Sequence, residues 1–261
     1  MLKKEFMYIL KPTLMIMGVL LVLVSLFKLN LDWLILGFQD KSGLMTEVGM
    51  SNHFDLFIAA LIITFTSGGF GADTFRSEYR DNAFEYLFSS PVSKVKIIFL
   101  KVIPRLTALI PFLVVYTLIF LSHIKNDVFA KSEGTTLLNP VFFIFWVIFI
   151  FFISMFTSIF RQKNWIAVTS IITLFSIFIF PSAIKAFLLK GGAQIVSSDT
   201  IRGVSFFVGL FIVFLISAIA FFFAYKTFDV KAQSFRGGKF VLISLIPQLV
   251  LIIISIFILI G

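Results

Sequence analysis

The chain is predicted to be all-α, a polytopic helical membrane protein with six or seven transmembrane helices, and three observations carry that prediction. Hydrophobic residues make up 59% of the 261 positions and charged residues only 13%, against roughly 25% charged in soluble domains. The apolar residues gather into long runs of the length, about 17 to 25 residues, that a hydrocarbon core of about 30 Å requires of a helix. A single stretch, Gly71 to Lys101, breaks this pattern with Arg76, Glu78, Arg80, Asp81, Glu85, Lys94, Lys96 and Lys101.

Seven runs qualify, taken in order: Thr13 to Leu29, Phe54 to Phe70, Val102 to Ser122, Val141 to Phe160, Trp165 to Ile184, Val204 to Tyr225 and Phe240 to Ile260. The first follows Met1-Leu2-Lys3-Lys4, which resembles the basic start of a signal peptide. Its apolar run is long and no small-x-small cleavage site follows, so it reads as an uncleaved span. Pro104 and Pro111 lie in the third run, where the missing backbone donors kink or break a helix. The seventh run is interrupted by Pro247 and Gln248 and follows Gly237-Gly238. It reads either as an additional seventh helix over 240–260 or as a re-entrant or interfacial element.

The basic residues set the orientation. With the N-terminus inside, fifteen of the 22 Lys and Arg residues fall on inner segments, as the positive-inside rule asks. That places the charged stretch in the cytoplasm and, with seven crossings, Gly261 outside. Outer connections are then Asn30 to His53, His123 to Pro140 and Lys185 to Gly203. The first carries Trp33 and Phe38 beside Asp32 and Asp40, the pattern of a short helix at the outer interface. The formal charge of +9 therefore reports topology, and no nucleic-acid partner is expected.

Several classes of chemistry lack their residues. The chain has no cysteine, hence no disulfide framework or thiolate metal site. It has no HExxH and no GxxxxGK[ST], and His53 and His123 sit in outer connections without a partner at ligand spacing. The middle of every proposed span is free of ionisable residues, with Asp55 at an outer edge and Lys101 and Arg105 at an inner one. Such residues mark ion and proton paths, so ion-coupled transport is disfavoured. No convincing repeat relates the two halves, which disfavours an inverted-repeat transporter. Thr64, Thr66, Ser67, Gly68, Gly69 and Gly71 read first as a packing face, because small residues let helices approach closely. Ser154 with Ser158, and Ala220 with Ala224, repeat that spacing. The 37 phenylalanines are expected to face lipid or neighbouring helices.

Within the charged stretch, Phe75, Tyr79, Ala83, Phe84, Leu87 and Phe88 recur at three- and four-residue spacing and share one helical face. Arg76, Arg80 and Asp81 fall on another. Asn82 tolerates a left-handed conformation and divides the segment in two. Ser90-Pro91 supplies an N-cap followed by proline at the first helical position, starting the helix that leads into the third run. The plainest account is an amphipathic loop resting on the headgroups.

The same residues resemble the membrane subunits of ABC-2 type exporters. There, the cytoplasmic loop between the second and third spans has an acidic-basic stretch, a Gly-Thr-Leu-Glu-like turn, a leucine-rich helix ending at Ser-Pro, and a later Lys. Glu78 and Arg80 match the charged stretch, Glu85 the acid, Leu87 the apolar ridge, Ser90 and Pro91 the helix start, and Lys101 the trailing base. Asn82-Ala83-Phe84 stands where Gly-Thr-Leu is usual. The local motif covers about thirty residues, and the order of spans around it also agrees. The resemblance implies a single transmembrane permease domain, 1–261, with an interfacial N-terminal helix over 1–12 carrying Lys3, Lys4, Phe6, Tyr8, Ile9 and Lys11. It also implies a cytoplasmic coupling loop over 71–101, whose helix docks on a separate ATP-binding cassette ATPase subunit through Arg76, Glu78, Arg80, Ala83, Phe84, Glu85, Leu87, Phe88, Ser90 and Pro91. Six spans with both ends inside are usual in that family, so the seventh run is a departure.

On this resemblance the chain is not itself an enzyme. It holds no cofactor, ATP and Mg belonging to the partner subunit, and it pairs with a second permease chain, as homodimer or heterodimer, within the lipid of a bacterial cytoplasmic membrane. The alternative is a non-transporting membrane scaffold or regulator that recruits a cytoplasmic partner through the same segment. An integral membrane lipid enzyme is the third reading, weakened by the lack of acidic and polar groups at membrane depth. An apolar interior suits lipids, lipid-linked glycans, hydrophobic peptides or drugs equally, so the substrate is not specified.

Overall fold

The structure is a computed structural model that describes residues 2–42, 54–80, 93–124, 140–158, most of 171–186, 198–226 and 233–260. Six long helices run through these ranges: α1 Leu2–Ser42, α2 Phe54–Arg80, α3 Lys94–Ile124, α4 Pro140–Ser158, α5 Ser198–Lys226 and α6 Gln233–Ile260. The described positions between 171 and 186 are helical too, and no strand occurs among the described residues. Five helices are long and apolar enough to cross a membrane, over Lys3–Ser25, Asp55–Arg76, Val95–Ser122, Pro140–Ser158 and Ser205–Phe223, and a shorter apolar stretch covers Leu245–Ile258. The chain is thus all-helical and fits a membrane-embedded, polytopic protein. Of the expected run Trp165 to Ile184, residues 165–170 lie outside the described residues.

Except for α4, the helices are longer than the apolar runs that announce them. α1 continues without a break from Leu2 to Ser42, where the sequence suggests a separate helix over 1–12 and an outer connection from Asn30. Pro12 removes from α1 the backbone donor that the Tyr8 carbonyl would otherwise accept, and the helix continues; the neighbouring Thr13 hydroxyl donates to the Ile9 carbonyl at 2.7 Å. α3 likewise passes through Pro104 and Pro111 unbroken. The carbonyl that loses its donor to Pro104 is that of Leu100; one residue on, the Arg105 guanidinium donates to the Lys101 carbonyl at 2.9 Å. α6 holds its helix through Gly237, Gly238 and Pro247.

The described chain divides into two compact units, Met1–Ser67 with Val95–Val147 and Gly68–Lys94 with Ile148–Gly261. In the first, Leu20, Leu56, Ile63, Leu109, Phe112, Tyr116 and Val147 are buried, and the Tyr116 ring stacks on Phe143 with centroids 3.9 Å apart. In the second, α5 and α6 pack side by side, and a run of rings links Phe214 to Phe156, Phe156 to Phe221 and Phe221 to Phe75, with centroids 5.7, 4.9 and 6.0 Å apart. Phenylalanines thus fill interiors, and others such as Phe65 and Phe257 stand about three-quarters exposed. An outward face of large apolar side chains is what lipid solvates and water does not.

Several hydroxyls in the described helices are satisfied within their own helix. Thr66 donates to the Ile62 carbonyl, Thr74 to Phe70 and Thr117 to Leu113. This back-bonding lets threonine sit in an apolar helix without an unsatisfied donor.

Candidate partner interface

α2 carries the chain into the charged segment, and its last turns place the first of the expected docking residues. Phe75 is fully buried and Arg76 exposed. Glu78 and Arg80 lie in the final turn of the helix, which ends at Arg80. Ala83, Phe84, Glu85, Leu87, Phe88, Ser90 and Pro91 lie outside the described residues, as does Asn82. The following helix, α3, begins at Lys94, with Ser93 outside it, three residues later than Ser90-Pro91 as N-cap and first helical position would start it.

The small-residue cluster on α2 meets α4 at close range. In the first unit, the Ser67 hydroxyl donates to the Val147 carbonyl at 2.7 Å, and the Trp146 indole N–H donates to the Thr64 hydroxyl at 3.0 Å. In the second unit, a Cβ at Gly71 would fall on the Phe151 carbonyl oxygen and come within 2.9 Å of the Ser154 Cβ. Only glycine permits that approach. Packing is therefore the role of Ser67, Gly71 and Ser154, and the seam holds the helix from which the charged segment departs. Gly69 is different: a Cβ there would meet nothing within 4 Å.

A second polar feature lies in the first unit, at the start of α1 and α3. Glu5 bridges two cations, with Lys101 Nζ 3.2 Å from Oε1 and Arg105 Nη1 3.0 Å from Oε2. Lys101 and Arg105 are 0% and 1% exposed and the Glu5 side chain 14%. The sequence puts both basic residues at the inner edge of a span, beside water. In the structure both are buried within the first unit, on the first turns of α3, which starts eight residues before the expected Val102. Two cations at i and i+4 on one helix face repel one another, and burying them unpaired is costly. A carboxylate between them offsets both terms.

Sequence reasoning misses Glu5, which is separated from its partners by about a hundred positions. The signal was present in weak form. Glu5 is the one acidic residue before Asp32, and Lys101 and Arg105 share an i, i+4 stripe in an otherwise apolar stretch. A third polar contact joins Thr173 to the middle of α6, the Thr173 hydroxyl donating to Gln248 Oε1 at 3.0 Å with both residues buried. Among the described residues, no group of three His, Cys, Asp or Glu side chains is placed to hold a metal ion.

No protein-family model, curated protein or solved structure matches this chain.

Proposed function

We propose that the chain is the transmembrane permease subunit of an ATP-binding cassette exporter of the ABC-2 type, moving a substrate across the cytoplasmic membrane on ATP hydrolysed by a separate subunit. One observation carries this reading: the charged segment, residues 71–101, interrupts a chain of long apolar helices between α2 and α3 and contains the Glu85, Leu87 and Ser90-Pro91 pattern of a docking helix. Two features support it. α2 remains helical past its apolar stretch to Arg80, so the segment is joined to a rigid element. The sequence also has no phosphate-binding loop of its own, so ATP would have to act through a partner.

In this reading, closure of the ATPase pair displaces the docking helix and the displacement passes to the ends of α2 and α3. Phe84, Leu87 and Phe88 supply the apolar ridge that enters a groove on the ATPase, and Glu85 meets a base or backbone donors there. A second permease chain completes the path. The test is ATP hydrolysis by the cognate ATP-binding subunit, measured alone and with the purified chain in lipid vesicles. Stimulation by the chain, together with nucleotide-dependent movement of a lipid-like or amphipathic probe, supports the exporter. Binding of the subunit without stimulation or movement favours the scaffold instead.

A further inference from the structure

α6 turns its described polar side chains inward and its apolar ones outward. At about 100° per residue, every described exposed position from Leu242 to Phe257 falls on one half of the helix circumference, and each of them is apolar. The other half holds Leu245, Gln248 and Ser255, all buried. Gln248 accepts a hydrogen bond from the Thr173 hydroxyl at 3.0 Å, whereas the Ser255 hydroxyl has no hydrogen-bond partner. A helix resting on a membrane surface has the reverse arrangement, with its polar face towards water.

We propose that α6 crosses the bilayer completely, with acyl chains covering its outward half, the end that carries Arg236 and Lys239 on the cytoplasmic face and Gly261 on the opposite one. Length agrees. Residues 240–260 hold no charged side chain, and at 1.5 Å per residue they extend about 31 Å, against a hydrocarbon core of about 30 Å. Continuity agrees as well: a re-entrant segment turns back through broken backbone, and this helix runs unbroken from Gln233 to Ile260 with Pro247 inside it. Gln248 lies near the middle of the uncharged stretch, where an amide turned to lipid finds no partner and one turned inward finds Thr173. Ser255 carries the argument further. At a membrane surface, rolling α6 outward would give its hydroxyl water to bond with. Against acyl chains the outward side offers nothing, so burial without a partner costs no more than exposure. Arg236 and Lys239 at the start of the helix set the direction. The crossing is independent of the exporter reading and holds equally for a scaffold.

The absence of cysteine lets each position be labelled singly in the full chain. Spin labels on Ile246→Cys, Val250→Cys, Ile253→Cys and Phe257→Cys, all on the outward half, are read in phospholipid vesicles for collisions with molecular oxygen and with a water-soluble nickel chelate. A crossing predicts an oxygen-to-nickel ratio that is greatest at Val250 and smallest at Phe257, with no broadening between labels. An equal ratio at all four positions, the signature of a helix lying on the surface, overturns the proposal. A membrane-impermeant maleimide, applied to sealed vesicles of each orientation, should reach Ser234→Cys and Gly261→Cys from opposite faces. Labelling of both from the same face means a re-entrant element and overturns it as well. Low oxygen collision at all four positions, with spin–spin broadening that disappears when unlabelled chain is added before reconstitution, puts a second copy on this face and overturns the assignment of acyl chains to it.

Discussion

The ionic contact between α1 and α3 and the α2–α4 seam solve the same problem by opposite means. Both put polar groups inside an apolar protein. The ionic contact does so with full charges contributed by residues 96 and 100 positions apart, and the seam with hydroxyls, an indole N–H and a missing Cβ. Hydroxyls cost little to bury once bonded to a carbonyl, so the seam tolerates the loss of one contact. Charges cost far more to bury, and a counter-charge offsets a large part of that cost. A small perturbation should therefore be large in one region and modest in the other.

The greatest effect is expected at Glu5. Glu5→Ala leaves Lys101 and Arg105 buried without their carboxylate, and removing one member of a buried ion pair costs about 3–5 kcal/mol. Unfolding by sodium dodecyl sulfate titrated into mixed micelles should show it. A loss under about 1 kcal/mol, the range of a surface pair, would mean that the three groups remain hydrated and that the contrast between the regions is false.

Gly71→Ala comes next. Its methyl group would collide with the Phe151 carbonyl, which belongs to helix backbone and cannot rotate aside, and overpacking of that kind costs about 1–3 kcal/mol. Gly69→Ala is the matched control, since nothing occupies the space and alanine favours a helix by about 1 kcal/mol. The two alanines, two residues apart on one helix, should move stability in opposite directions. If they move it alike, backbone propensity and not close approach governs α2.

Thr173→Val should be the mildest of the three. It removes the hydroxyl that Gln248 accepts from, and hydrogen bonds between membrane helices average about 0.6 kcal/mol. The same micelle titration resolves that difference if the variant is compared with Thr107→Val, whose hydroxyl bonds only within α3, to the Ile103 carbonyl at 2.8 Å.

These contrasts also mark what the sequence reveals. Composition and run length are local properties, so the all-helical class and the positions of α2, α4 and α5 are legible from them. The packing role of Thr64 to Gly71 is legible as well, because small residues at helical spacing identify a close-approach face without naming its partner. The boundaries of α1 and α3 are not, since both helices run on past the apolar runs Thr13 to Leu29 and Val102 to Ser122. Least legible is Glu5, whose meaning depends on a contact made only after α1 and α3 come together. The docking segment is the reverse case. It is legible as a pattern, with Leu87 and Phe88 on one face, while Ala83 to Pro91 lie outside the described residues and α3 begins only at Lys94.

The central claim, that this segment docks an ATP-binding subunit, is tested most directly by association of the purified chain with that subunit, in the unaltered form and in Phe88→Ala and Leu87→Asp. Loss of a buried aromatic anchor at an interface costs about 2 kcal/mol or more, more than tenfold in affinity. The account predicts at least that weakening for Phe88→Ala and no detectable complex for Leu87→Asp, with each variant as monodisperse in detergent as the parent, and with Arg76→Ala, on the opposite face, affected less. A monodisperse Leu87→Asp chain that binds the subunit as tightly as the parent would contradict it.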